Sequence, residues 1–231
     1  VISGAGGSIT QNGVGGTVTL SGNNTFGGGV TLTTGTLIVG HDNALGTGNL
    51  SFGGGALQSN TAVSATNNYA LTASSFIGGT NGLTLSGTGN LNNNALTINN
   101  TAGTVTLSGI IGGAGGSLTQ NGAGGNLVLS GNNTYSGGTT LIAGTLTGTT
   151  SSIQGTITNN AALEFNQPGA GTYAGSISGA GTVAILGGGN VTFNGNNSGY
   201  SGTITLTTGT LTVGNNNALG TGSLSFNGGT L

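Results

Sequence analysis

Tyrosines apart, the only titratable side chains among the 231 residues are two carboxylates, Asp42 and Glu164, and one imidazole, His41. His41 beside Asp42 suggests half of a Ser-His-Asp triad. Adjacent residues of a strand or corner point apart, however, and a catalytic base must be oriented by a third group. The chain also supplies its own control. Gly35–Leu57, GTLIVGHDNALGTGNLSFGGGAL, returns as Gly209–Leu231, displaced by 174 positions (209 − 35) and differing at only six of them, and there the pair is Asn215-Asn216. Whatever the unit does, it does not need His41 or Asp42. Glu164 lies between Leu163 and Phe165, so alternation turns it outward, and glycoside hydrolysis requires a second carboxylate at a defined separation. Polysaccharide lyase chemistry needs acids for a metal and a base or cation for proton abstraction. Calcium-binding coils need an Asp in each repeat. The expectation is therefore no enzyme, no catalytic, cofactor-binding or metal-ligating residue, and no cofactor.

Composition closes further classes. Lys, Arg, Cys, Met and Trp are absent, Gly numbers 54, and the formal net charge is −2. With no cation to neutralise phosphates, nucleic-acid binding is excluded, and polybasic attraction to anionic lipid goes with it. No run approaches the ~18 apolar residues of a membrane-spanning helix. Absence of Cys removes a disulfide framework and thiolate metal sites. Absence of Lys and Arg leaves trypsin-like proteases no cleavage site, which suits life outside the cell. Sequons at Asn23, Asn99, Asn132, Asn190 and Asn196 are better explained by corner chemistry than by glycosylation. Hydrophobic residues form 33% of the chain and fall in alternating patches, against disorder.

These patches define the elements. Thr17-Val18-Thr19-Leu20, Val30-Thr31-Leu32, Thr36-Leu37-Ile38-Val39 and Asn49-Leu50-Ser51-Phe52 alternate at period two between Gly and Asn. That is the strand signal. No helical periodicity occurs, so the chain reads as all-β. Leu37 to Leu57 and Leu211 to Leu231 each span about 20 residues, the spacing of a solenoid coil. Asn-Gly at Asn12, Asn81, Asn121, Asn194 and Asn227 also fits an antiparallel hairpin stack. The recurring step favours a right-handed parallel β-helix, a β-solenoid, on the order of 55 Å long at ~4.8 Å per coil. Corners need positive φ, which Gly supplies and Asn tolerates. Leu, Ile and Val are expected inside, Thr, Ser and Asn outside, with Asn forming coil-to-coil ladders.

Larger repeats overlie this period. Ile2–Leu37 returns at Ile111–Leu146, 109 positions on (111 − 2), with most positions matching, and more loosely at Ile177–Leu211. Residues 1–231 read as a single continuous solenoid segment with units near 2–57, 111–146 and 177–231. With no visible leader and no caps, it reads as a piece of a longer protein. The string SGNNT(F/Y)xGGxTLxxGTLxVGxxNALGTGxLxFxGGxL stands nearly whole at Ser21–Leu57. It is half present at Ser130–Leu146 and looser at Gly195–Leu231. It resembles the passenger-associated repeat of bacterial autotransporter proteins, directly over roughly half the chain. The resemblance implies a stalk of a large secreted cell-surface protein, exported across an outer membrane by a C-terminal barrel.

Two outward features remain. The pairs Thr17/Thr19, Thr31/Thr33, Thr205/Thr207 and Thr210/Thr212 are expected to line one flat face, as in ice-binding solenoids or an adhesin. Phe26, Tyr135 and Tyr200 share one corner position and could stack on sugars or on a neighbouring chain, though covering the coil edge explains them equally well. The expected role is a rigid stalk or self-assembling extracellular filament. Its partners would be copies of itself, end to end or lateral, or further repeats of the same chain, with a carbohydrate or surface ligand as the other candidate.

Overall fold

The computed structural model describes all residues, 1–231. It contains strands and no helix, wound into a β-solenoid of about 11 turns. Around a complete coil the chain passes through a first, a second and a third sheet, as at Gly89–Asn90, Ala95–Asn100 and Thr104–Leu107. Equivalent residues of successive coils pair in parallel: Thr17 with Thr36, Thr36 with Ala56, Ala56 with Phe76, Phe76 with Thr97, Thr97 with Thr119. The step along the chain is not constant. It is short where Thr147 pairs with Glu164 and long where Thr97 pairs with Thr119. A parallel ladder tolerates this because the extra residues go into corners, not strands.

Alternation does what it should. In Thr36–Val39, Leu37 and Val39 are fully buried while Thr36 and Ile38 are half-buried on the outer face. Repeated coil after coil, the inward positions merge into one core of 45 buried apolar residues. Each coil is held by the backbone ladder to the coil before and after it, so stability is a sum of neighbour interfaces.

The inside-outside expectation fails for amides. Gln11, Asn100, Gln120 and Asn159 are buried at strand ends. Gln11 Nε2 donates to the Gly16 carbonyl (2.7 Å), Gln120 Nε2 to Gly125 (3.0 Å), Asn100 Nδ2 to Gly103 (2.9 Å) and Asn159 Nδ2 to Thr182 (2.9 Å). The Gly16, Gly125 and Gly103 carbonyls also accept a backbone N–H from the next coil, from Thr36 (2.8 Å), Thr145 (3.2 Å) and Asn126 (3.1 Å). The buried amide adds a second donor to each and satisfies its own polar group, which would be costly left alone.

Positive φ is likewise Gly's business, not Asn's. Only Asn92 and Asn93 among non-glycine residues have it. The glycine of each GTL strand shows why Gly is required: Gly35, Gly144 and Gly209 have φ of +71°, +75° and +81°. A Cβ there would also collide with the carbonyl oxygens of Gly13, Gly122 and Gly189 in the coil before.

Candidate functional site: the repeat corners

Each SGNNT corner, and the GNNS corner of the third unit, carries one exposed and one buried Asn. Asn23, Asn132 and Asn196 lie toward solvent, whereas Asn24, Asn133 and Asn197 are buried. The buried one makes the same two bonds in all three units. Its Oδ1 accepts from the backbone N–H of Ile2 (2.8 Å), Ile111 (2.8 Å) or Ile177 (2.7 Å) in the coil before. Its Nδ2 donates to the carbonyl of Ala44, Ser152 or Ala218 in the coil after. One side chain thus ties three coils together. In the first two units the outer Asn ladders outside, as expected: Asn43 Nδ2 donates to Asn23 Oδ1 (2.9 Å), and Ser151 Oγ to Asn132 Oδ1 (2.9 Å), whereas Asn196 Oδ1 accepts from Ser198 N–H in its own corner (3.1 Å).

The corner aromatics are not presented to any ligand. Phe26, Tyr135 and Tyr200 are at most 1% exposed and fill the coil interior beneath the corner. The Tyr200 hydroxyl donates to the Gly181 carbonyl (2.8 Å), with that of Thr203 at 2.9 Å. The Tyr135 hydroxyl shares a bond with Thr139 Oγ1 (2.9 Å) and accepts from Gln154 N–H (3.2 Å). Burial pushes the Tyr200 hydroxyl up to about 12, and raises those of Tyr69, Tyr135 and Tyr173 above the ordinary tyrosine value. Stacking on sugars by these three rings is therefore ruled out, because the corner folds over them.

The three units also occupy three different sides of the solenoid. In the first, Thr17–Leu20 and Val30–Leu32 lie in the second and first sheets, so the corner takes the third side. The corner at 40–48 stacks on it, and the third sheet begins only afterwards, at Val63–Ala65. In the second unit, Asn126–Leu129 and Thr139–Leu141 lie in the third and second sheets. The corner interrupts the first sheet, which ends at Ile111–Gly112 and resumes as a short fourth sheet at Gly171–Tyr173. In the third unit, Asn190–Phe193 and Ile204–Leu206 lie in the fourth and third sheets, and the corner closes the second sheet after Ile177–Ser178. From Thr17–Leu20 the second sheet takes five steps to Ser117–Gln120, and Asn126–Leu129 is the next strand along the chain. The repeat displacement is thus five coils and one third.

This disperses the threonine pairs. Thr17/Thr19 stand on the second sheet, Thr31/Thr33 on the first or just past it, Thr205/Thr207 on the third or just past it, and Thr210/Thr212 on the fourth. They do not share a face. The rank that does form, Thr97, Thr119, Thr140 and Thr158, runs along the second sheet and joins residues of unrelated sequence context. In the same line, Thr17 and Thr36 are separated from this rank by Ala56 and exposed Phe76.

The two carboxylates are kept apart. His41 Nδ1 accepts from Asn43 N–H (3.0 Å), and Asp42 Oδ1 accepts from Ser64 N–H (2.7 Å), so both act as corner fasteners. Glu164 is half-buried on the third sheet and accepts from Thr147 Oγ1 (2.8 Å). From Ser64 to Glu164 the ladder runs through Thr84, Thr106, Val128 and Thr147, five steps, about 24 Å at ~4.8 Å each. That separation is far outside the range of about 5–10 Å over which paired carboxylates cleave glycosides. No group of three or more His, Cys, Asp or Glu residues comes together.

Residues 9–39 and 118–147 match the model of the passenger-associated-transport-repeat family. Both matches run from the buried Gln through the stapled corner to the GTL strand. The third unit has the same Asn staple but lies outside them. The chain is 44% identical over 174 residues to the "Adhesin BmaC autotransporter" of Brucella suis biovar 1 (strain 1330), an alignment covering 73% of this chain and 4% of that protein. The chain therefore spans a small fraction of the curated relative it matches. No solved structure matches it.

Proposed function

We propose that this chain, which carries autotransporter passenger repeats, is a rigid stalk segment within a secreted bacterial surface protein and acts by holding distance, not by catalysis. The observation that carries this reading is the uninterrupted stack of about 11 coils, stapled across three coils at each repeat. A solenoid stiffened this way grows in length without needing a larger core. With two carboxylates and no cation on the chain, rods repel one another weakly, so lateral or end-to-end assembly of copies into a filament extends the same reading. The relative's name speaks for adhesion by that protein, and an adhesive role of an outer face is the second reading here.

Electron microscopy of the parent protein on its native cell surface tests the first. Deleting these coils should shorten the projection by roughly 53 Å, 11 coils at ~4.8 Å. Inserting an equal number of unrelated coils should restore both reach and any binding activity. Unchanged length, or binding lost despite restored length, would overturn the stalk in favour of adhesion.

A further inference from the structure

The second unit departs from the other two in one way that opens a site. Leu50 follows Leu37, and Leu224 follows Leu211, by 13 positions (50 − 37 and 224 − 211), but Ile157 follows Leu146 by only 11 (157 − 146). The ladder registers the loss. Thr139 pairs with Ile157 and Leu146 with Leu163, both shorter steps than Val30 to Leu50 or Ile204 to Leu224. In the first unit the corner is closed, since Thr47 N–H donates to the Phe26 carbonyl (2.9 Å) and Asn67 Nδ2 reaches the Gly46 and Gly48 carbonyls (3.1 and 2.7 Å). In the third, Thr221 N–H closes on Tyr200 in the same way (2.8 Å). In the second, the shortened corner has no Gly-Thr-Gly segment, and Gln154 N–H goes to the Tyr135 hydroxyl instead.

What the missing residues leave is a groove of about 450 Å³. It falls within the roughly 300–1,000 Å³ of small-ligand sites. Its polar groups have capacity to spare. Ser136 Oγ accepts from Gly115 N–H (2.9 Å), which leaves its own hydrogen to donate. The hydroxyls of Thr156 and Thr172 bond to nothing within the protein, and Gln154, its Nε2 on the Ser151 carbonyl (2.7 Å), keeps Oε1 free as an acceptor. Exposed Ala174 adds a methyl group, while Ile153 and Tyr173 border the groove from buried positions. No charged residue lines the groove, so an anionic or cationic ligand would find no counter-charge there. Unpaired hydroxyls and an amide with little apolar surface match a neutral ligand rich in hydroxyls.

We propose that this groove binds a neutral sugar unit, such as a terminal hexose or N-acetylhexosamine of a glycan. The site stands independently of the stalk reading, since a stalk without a ligand fails only the test below. An isotope-labelled preparation of the full chain is titrated with methyl glucoside, methyl galactoside and N-acetylglucosamine, with glucuronate as the charged comparison. At least one neutral probe should shift the amides of Gln154, Thr156 and Thr172–Gly175 with a Kd of about 1 mM, as befits a monosaccharide in an open site. Glucuronate should bind more weakly.

Thr156→Val with Thr172→Val removes two hydroxyls at constant volume and should weaken binding about tenfold. Replacing residues 148–155 by the segment found at 213–222 restores the two missing residues with a corner the chain already folds elsewhere, and should abolish binding. If that graft misfolds, the valine pair still decides. The proposal is overturned if no neutral probe shifts these amides by about 20 mM, if the shifts scatter over the surface, or if the folded graft binds as before.

Discussion

Replacing Asn133 by Ala should loosen three coils at once. Asn133 is buried, its Oδ1 holding the Ile111 N–H at 2.8 Å and its Nδ2 holding the Ser152 carbonyl at 2.7 Å. The substitution leaves one buried donor and one buried acceptor unpaired, each worth about 1–3 kcal/mol, so local stability should fall by about 2–6 kcal/mol. Asn132, its outer neighbour, loses only a surface bond from Ser151 Oγ, and Asn132→Ala should cost less than about 1 kcal/mol. A solenoid need not unfold in one step, so a global melting point is the wrong readout. Native-state hydrogen exchange is the right one, at the amides of Thr134 and Gly137, whose own acceptors (the carbonyls of Ile111 and Gly116) survive in both variants. A difference of about 2 kcal/mol corresponds to roughly thirty-fold faster exchange in Asn133→Ala. Equal protection in the two variants, within about threefold, would refute the staple. Asn133→Asp sharpens the test. It keeps the acceptor but sets a carboxylate against the Ser152 carbonyl, so burial should raise its pKa above the unfolded value. Its stability should then be full at low pH and be lost as pH rises through the raised value.

Alkaline titration followed by tyrosinate absorbance should show the native chain resisting ionisation. The folded pKa values are raised, with Tyr200 near 12, so tyrosine burial stabilises fully below the unfolded value of about 10 and loses its contribution as pH climbs through the folded ones. Four tyrosines ionising freely near pH 10 in a folded chain would contradict the burial. Gly144→Ala combines positive φ with a Cβ that collides with the Gly122 oxygen, whereas Gly188→Ala has positive φ but open space around it. Chemical denaturation should find Gly144→Ala the worse by more than about 1 kcal/mol. The Tyr69 hydroxyl is buried without a partner, so Tyr69→Phe should be neutral or stabilising, while Tyr200→Phe, which loses the bond to Gly181, should cost about 1 kcal/mol in the same assay.

Fold class was legible because it rests on local regularities. Period-two alternation in segments such as Thr36–Val39, glycine where the chain must turn, and a recurring step of coil length are visible along one dimension and suffice for a parallel solenoid. The passenger-repeat resemblance was legible for the same reason, since its landmarks are contiguous. Asn24, Asn133 and Asn197 show where this kind of reading stops. Their sequence neighbourhood is that of any Gly-Asn corner, and turn chemistry explained them adequately until the coils before and after supplied an N–H and a carbonyl. For Phe26, Tyr135 and Tyr200 the sequence left an outward ring and a ring covering the coil edge equally open, and only the stacked coils decided for burial.

Above all, the sequence by itself determined what each unit is made of but not where it points. The displacement between two copies carries no orientation until it is divided by a coil length, and that length itself changes along the stack, as the Thr147/Glu164 and Thr97/Thr119 pairings show. Only the accumulated register of successive ladders yields the odd third of a coil, which moves each copy to a new side, scatters the threonine pairs and ends one sheet where another begins. The groove beside Gln154 has the same origin. Two residues absent from a corner mean nothing along the chain, and become a cavity only when coils that did not shrink are stacked above and below.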